Sequence, residues 1–415
     1  MASGGKRPRV LIIVEDLPSP FDRRVWQEAG TLRDGGYDVS IICPTGKGYE
    51  KTYEVLDGIH IFRHRLPTEG NGVLGYATEY TAALFWEFVL AWKVWWTRGF
   101  NVIHACNPPD NIFLVAGVFK VLLGKRFLFD HHDLCPELYE AKFGRKDFLY
   151  RLMVAWERLT FRLADVSIAT NESFRQIAVT RGGMDPANVY VVRSGPSLER
   201  LKVMPPVESL KKGRRFLVGY VGVMGKQEGV EYLLGAARYI IQELKRTDVQ
   251  FGLVGSGPQL PRLRQLAEEL GVQEYVTFTG RVPDQPMLEM LNTADVCVNP
   301  DVYNEMNDKS TMNKIMEYMA LGKPIVQYDL TEGRFSAGDA SLYAERNNER
   351  DLADKIVYLL DRPDLRATMG QFGRLRVERE LQWKYQAPTL LHAYRAVLDP
   401  QAVRRKAASV DALTR

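Results

Sequence analysis

A chain of 415 residues exceeds what one hydrophobic core usually serves, so two domains are expected. Hydrophobic residues at 46% and charged residues at 26% describe a globular protein, not a disordered one. A formal net charge of only +4 argues against the dense basic stripe of a nucleic-acid binder, so no nucleic-acid partner is expected.

The first residues are small and basic, and the apolar run Val10–Val14 is too short for a signal peptide. Cys43, Cys106, Cys135 and Cys297 have no C-x-x-C spacing, so reduced thiols and a cytoplasmic setting are expected. Strands are predicted at Val10–Val14, Val39–Cys43, Ile59–Arg63, Val102–Ala105, Arg126–Asp130, Val166–Ala169 and Val189–Val192. Most are β-branched runs without alternation, as in strands buried on both faces of a parallel sheet. Helical patterns such as Arg23–Arg33 and Asp147–Leu163 lie between them, which predicts a doubly wound α/β domain.

Ligands of such sheets bind beyond the carboxyl ends of the strands, so the loops there carry the candidates. The loop Glu15–Asp22 ends in Asp22, a helix N-cap that puts Arg23 and Arg24 in the first turn, where anions are favoured. It has no G-x-G-x-x-G, so a bound dinucleotide is not expected. Ala82–Gly99 carries Phe85, Phe88, Trp92, Trp95 and Trp96 at helical spacing, with Glu87 and Lys93 interrupting any spanning segment. It reads as an amphipathic helix packed on the sheet, and alternatively as a peripheral membrane contact through residues 82–98. Asn107-Pro108-Pro109-Asp110 and Asp130-His131-His132-Asp133-Leu134-Cys135-Pro136-Glu137 close two further strands. The second has neither H-E-x-x-H spacing nor a cysteine pair, so it is read as site lining, and no metal is expected.

Residues 201–213, with Pro205–Pro206 and Lys211-Lys212-Gly213, read as an exposed linker between domains at 1–200 and 214–382. The strand–helix alternation then restarts at Phe216–Val221, Val249–Val254, Val276–Thr279, Val296–Asn299, Ile325–Tyr328 and Ser341–Ala344. A last helix is predicted at 383–398, with a frayed tail at 399–415. Gly222, Gly225 and Lys226 form a strand-to-helix turn suited to phosphate, and Gly255 and Gly257 allow a close approach to the backbone of a second turn. Phe278–Pro283 closes a third strand. Asn307–Val326 opens a helix on which Lys314 and Glu317 share a face, suiting a ligand with phosphates and hydroxyls.

These segments together resemble the family 4 glycosyltransferases of the GT-B architecture. The resemblance rests on HisAspLeu…ProGlu at 132–137, the glycine turn at 219–229, GlySerGlyPro at 255–258 and ThrGlyArgValPro at 279–283. It continues through AlaAspValCysValAsnPro at 294–300 and GluTyrMetAlaLeuGlyLysProIleVal at 317–326. It implies two Rossmann-like α/β domains facing across a cleft, with the last helix crossing back to the first. It implies retaining, metal-independent transfer of a sugar from a nucleotide-diphosphate donor. No cofactor is expected, and no Asp-X-Asp is present to hold a metal.

By the same resemblance, Glu317 matches the second Glu of the family's E-x7-E motif and holds the donor ribose. Asn313, Lys314 and Ile315 lie at the diphosphate or sugar, Arg281 and Val282 beside the base, and His132 near the donor sugar. His132 and Glu317 are thus the expected catalytic pair, with Arg23, Arg24, Asn107, Asp110 and His131 on the acceptor side. The sequence departs from the motif at three places. Lys309 replaces the first Glu, Val223 and Glu228 replace an Arg and a Lys after the glycine turn, and Leu17–Pro20 replaces a glycine pair. The expected acceptor is a glycan or lipid-linked glycan of cell-surface polysaccharide assembly, with the enzyme at the inner membrane face. A sugar-nucleotide epimerase or phosphorylase, and a non-catalytic sugar-nucleotide-binding subunit, are the other readings.

Overall fold

The structure is a computed structural model that describes residues 7–66, 72–399 and 401. The described residues form two compact units, one up to Ser194 and from Gln386 on, the other Gly195–Tyr385.

The first unit is built on β1 (Arg9–Ile13), α1 (Arg23–Asp34), β2 (Asp38–Pro44), β3 (Tyr53–Leu56), β4 (Ile59–His64) and α2 (Gly72–Thr97). It continues with β5 (Val102–Cys106), α3 (Phe113–Leu123), β6 (Arg126–His131), β7 (Val166–Ala169) and β8 (Val189–Val191). The sheet order is β3-β4-β2-β1-β5-β6-β7-β8, parallel except for β3 against β4. Strands β1, β2 and β5 are almost wholly buried, which is why they carry continuous Val, Ile and Leu runs. β3 was not predicted. Its Tyr53 and Val55 lie exposed on an edge, so it lacks the buried run that marks the other strands.

The second unit holds β9 (Phe216–Val221), β10 (Val249–Val254), β11 (Val276–Gly280), β12 (Val296–Asn299), β13 (Ile325–Tyr328) and β14 (Ser341–Ala344). All six are parallel in the order β11-β10-β9-β12-β13-β14. Chain order therefore reverses beside β9, as it does beside β1 in the first unit, and each reversal opens a crevice at the strands' carboxyl ends.

The structure refines two expectations. Residues 201–213 are exposed over most of their length, yet they are anchored on the second unit. Leu201 is fully buried, Met204 N–H donates to Asn292 Oδ1 at 2.9 Å, and Val207 N–H donates to Thr293 Oγ1 at 2.9 Å. The segment packs on the helix Asp284–Thr293 and completes the second unit's core. The aromatic helix is also turned differently from expectation. α2 buries Ala83, Glu87, Ala91 and Val94, a stripe at i, i+4, i+8 and i+11, and exposes Phe85, Trp86, Val89 and Trp96. Phe88, Trp92 and Trp95 are half-buried against Phe119 and Phe100.

The helix Trp383–Leu398 is present as predicted. From Gln386 on it belongs to the first unit, with Leu390, Ala393, Tyr394 and Val397 fully buried. The predicted tail lies, beyond Asp399 and Gln401, outside the described residues.

Candidate functional site

In the first unit the loops after β1, β5 and β6 meet at the reversal of strand order. The Asp22 side chain accepts from Val25 N–H at 3.1 Å and starts α1 there, which fixes where Arg24 and Glu28 point. Arg24 is directed inward, not to solvent. Its Nη2 donates to Asp130 Oδ1 at 2.9 Å, its Nε lies 3.3 Å from Asp130 Oδ2, and its Nη1 donates to the Val192 carbonyl at 2.7 Å. Glu28, one turn on, is 3.2 Å from Arg24 Nε. His104 Nε2 is 3.4 Å from Asp130 Oδ2 and 3.7 Å from Glu28, and its Nδ1 meets the Tyr394 hydroxyl at 2.7 Å. His132 Nε2 hydrogen-bonds Asp130 Oδ2.

Electrostatics assign the charges in this cluster. Burial works to raise the Asp130 pKa, but Arg24 and His132 hold its carboxyl well below the ordinary range, so it is ionised. Burial and the Asp130 charge push Glu28 well above its ordinary value, against the pull of Arg24. Burial lowers His104, which is neutral.

The sequence-predicted residues of this unit fare differently. His132 is partly exposed at the crevice. Arg23 is exposed. Arg24 is buried and committed to Asp130, so its expected acceptor-side role is replaced by a structural one: a guanidinium inside the fold needs its counter-charge. His131 is likewise not site lining. Strand alternation turns it to the opposite face from His132. There it is fully buried among Phe129, Phe161 and Phe174, with Nε2 3.6 Å from Glu157. Asn107 acts as a clip between loops. Its Nδ2 donates to Asp110 Oδ1 and the Asp133 carbonyl, and its Oδ1 accepts from the His132 N–H at 2.6 Å. Asp110 is buried beneath it, and burial raises its pKa.

In the second unit, the turn after β9 lies against the turn after β10. A Cβ on Gly255 would sit 1.8 Å from the Gly222 carbonyl oxygen, and one on Gly257 would sit 2.5 Å from that of Met224. The close approach expected of these two glycines is therefore to the chain's own backbone. Gly225 N–H donates to Glu228 Oε2 at 3.1 Å, so a carboxylate occupies the glycine turn. Burial raises Glu228 to about 6, while Lys314 works to lower it. Lys314 Nζ donates to Asp301 Oδ1 at 2.6 Å and lies 5.2 Å from the centre of the Tyr220 ring. Asp301 is fully buried, and its burial outweighs Lys314 to raise its pKa.

Lys314, Gly222, Gly225 and Glu228 are thus brought together. Lys226 is exposed at the same turn. One turn along the helix Asn313–Ala320, Glu317 is ion-paired with Arg200, which also reaches Asp284 at 3.3 Å. Asn313 and Arg281 are exposed, Ile315 is fully buried, and Val282 is half-buried. Lys309 is ion-paired with Glu305.

Residues missed from the sequence are Glu28, His104 and Tyr394 in the first unit and Arg200 and Asp301 in the second, while Asp130 stood in the segment read as site lining without its role toward Arg24 and His132. Glu28 was visible as the i+4 partner of Arg24, and His104 as a polar break in a buried run. Tyr394 and Arg200 carry no local signal. Among the described residues, two groups have the spacing to hold a cation, His104–Cys106–Asp130 and Glu28–Asp130–His132. Both share Asp130, whose oxygen already contacts the Arg24 guanidinium at 2.9 Å, and a divalent ion there would meet that positive charge.

Residues 22–195 match the family described as Glycosyl transferase 4-like domain, and residues 215–362 the one described as Glycosyl transferases group 1. Alpha-D-kanosaminyltransferase of Streptomyces kanamyceticus is 29% identical over 159 residues, 38% of this chain and 39% of that protein. The matched stretch thus spans well under half of that relative's length. The structure of sucrose-phosphate synthase from Thermosynechococcus elongatus superposes with a TM-score of 0.76 at 19% identity, over 95% of this chain and 100% of the other. Anabaena HepE in complex with UDP and glucose gives 0.69 at 15% identity, over 94% and 100%. At these identities the two structures speak for a common fold. With one family match on each unit, in family order and over most of its length, the chain belongs to the family 4 glycosyltransferases of the two-Rossmann-domain GT-B architecture.

Proposed function

We propose that this protein transfers a sugar from a nucleotide-diphosphate donor to a glycan or lipid-linked glycan, with retention and without a metal. The observation that carries this is the gathering of Lys314, Gly222 and Gly225 at the carboxyl end of β9, beside Glu317 one helical turn away. Lysine at that turn, with the Gly225 N–H that now donates to Glu228, suits a departing diphosphate, whose charge they stabilise as it develops. Glu317 suits the ribose hydroxyls, which would replace Arg200 as its partner. His132 is the first unit's contribution at the donor sugar, orienting a hydroxyl or handling a proton. Anabaena HepE, whose fold this chain shares, was solved with UDP and glucose, which supports a nucleotide-sugar donor.

The acceptor reading draws on α2. Among the described residues no helix is long and apolar enough to cross a membrane. Phe85 and Trp96 are nonetheless 60% and 76% exposed, and Val121 and Leu122 of α3 are exposed as well. Aromatic side chains presented in this way suit a lipid interface, where a lipid-linked acceptor would be met. Four buried thiols suit a reducing cytoplasm.

A panel of nucleotide sugars screened by thermal shift identifies the donor, because a ligand of the native state raises its stability. Lys314→Ala and Glu317→Ala are expected to weaken that donor at least tenfold with the fold intact. Unchanged affinity and turnover in both would overturn the reading. The non-catalytic reading is favoured by Lys309 and Glu228. It predicts donor binding with neither transfer nor hydrolysis by the purified chain.

A further inference from the structure

We propose that Asp130 is the positioning residue of His132, holding its imidazole in the tautomer protonated at Nε2 and leaving Nδ1 as the ring's acceptor. The inference rests on the reading that His132 works at the donor sugar, and it says which ring atom does the work. Asp130 is fully buried at the end of β6, two residues before His132. An ionised carboxylate only accepts hydrogen bonds, so every nitrogen facing it must bring a proton.

Three side chains from three elements face this carboxylate. From α1, Arg24 reaches Oδ1 through Nη2 at 2.9 Å and Oδ2 through Nε at 3.3 Å. From β5, His104 presents Nε2 to Oδ2 at 3.4 Å. The Tyr394 hydroxyl, 2.7 Å from His104 Nδ1, donates to that nitrogen and leaves the His104 proton on Nε2, toward Asp130. From the β6 loop, His132 closes on Oδ2 through Nε2.

The rival assignment has the His132 Nε2 lone pair accepting from Arg24 Nε, 2.9 Å away. That would set a lone pair against the carboxylate oxygen at hydrogen-bond distance, and the contact would be repulsive. With Nε2 protonated the carboxylate contact becomes attractive, and the Arg24 and His132 N–H groups, 2.9 Å apart, are held side by side by the one Oδ2 that both face. The His132 backbone N–H, held by Asn107 Oδ1 at 2.6 Å, fixes the ring's base independently. The other ionisable groups facing this cluster are Asp22 and Glu28 of the α1 region, Cys106 of β5 and Asp133 of the β6 loop. Burial pushes Glu28 up, while Arg24, His132 and His104 hold Asp130 down. The arrangement links the last helix to His132 through Tyr394, His104 and Asp130 in turn, as a buried carboxylate orients a histidine elsewhere.

The deciding measurement is a long-range 1H–15N spectrum of the full chain labelled with 15N-histidine, with the His132 signals assigned by their loss in His132→Gln. The expected result is a single tautomer at neutral pH, with Nε2 protonated and Nδ1 bare. A proton on Nδ1, or a rapidly averaging mixture, overturns the proposal. Asp130→Asn should scramble this tautomer and lower kcat at least tenfold while the donor KM stays within about twofold. A well-folded Asp130→Asn with tautomer and kcat unchanged also overturns it. The wild-type spectrum decides the matter even if that variant fails to fold. If the tautomer is as stated but His132→Gln transfers sugar normally, the assigned role of His132 falls and the positioning by Asp130 stands.

Discussion

Two glutamates raised by burial have opposite relations to the site. Glu228 sits inside the glycine turn with its pKa raised from 4.5 to about 6. A carboxyl raised on folding favours the fold at low pH, and that contribution is lost as pH climbs from the unfolded to the folded value. Glu228→Gln should therefore gain stability over wild type between pH 4.5 and 6, by about 2 kcal/mol, and keep a constant margin above. A nucleotide sugar brings negative charge to the same turn and favours protonated Glu228. Donor affinity in wild type should thus fall as pH rises through 6, and in Glu228→Gln it should be flat; isothermal titration calorimetry across pH 5–8 checks both. Glu87 is far from any motif. It is fully buried in α2 with no hydrogen-bond partner for either oxygen among the described residues, and burial raises it to about 8. The margin of Glu87→Gln should widen over the longer window from 4.5 to 8, toward roughly 5 kcal/mol, as read from chemical denaturation.

At the scale of elements, spacing identified the helices and strands but not always which face they bury. α2 shows this: its aromatic residues recur at helical period, yet the buried stripe is Ala83, Glu87, Ala91 and Val94. Small residues let the helix lie close on the sheet, and the rings are left to α3 or to solvent. Replacing Phe85, Trp86 and Trp96 together with serine should change the melting temperature little, since exposed positions cost about 0.5 kcal/mol or less each. The same variant should lose flotation with anionic liposomes if the face meets lipid; retained flotation would remove α2 from the membrane reading. The glycine turns give a contrasting case. Gly255 has φ +134° and no room for a Cβ beside Gly222. Gly255→Ala should destabilise the second unit by several kcal/mol, with donor binding lost as a consequence of unfolding.

At the scale of the whole chain, the first unit takes its final piece from the far end of the sequence. Leu390, Ala393, Tyr394 and Val397 are buried in it, and the Tyr37 and Tyr394 rings meet edge-on at 5.5 Å. A chain ending at Tyr385 should lower the melting transition of the first unit by well over 10 °C while leaving that of the second within a few degrees. Differential scanning calorimetry separates the two, and equal losses in both would contradict the division.

The strands of both sheets except β3, the restart of the alternation after residue 213, and the glycine and Lys314–Glu317 segments were legible in the sequence. Each is a local pattern: a buried parallel strand must be apolar throughout, and a turn with no room for a side chain must be glycine. Family membership was legible for the same reason, being a series of such patterns in order. Which charges cancel was not legible, because ion pairing depends on residues far apart in the chain. Arg24 with Asp130, Lys314 with Asp301 and Glu317 with Arg200 are each set by the fold. Tertiary structure alone decided that Arg24 faces inward, that His131 belongs to an aromatic core, and that only His132 of that pair reaches the crevice. The physical reason is that strand alternation and burial choose the face, and a buried charge is tolerated only where the fold supplies its partner.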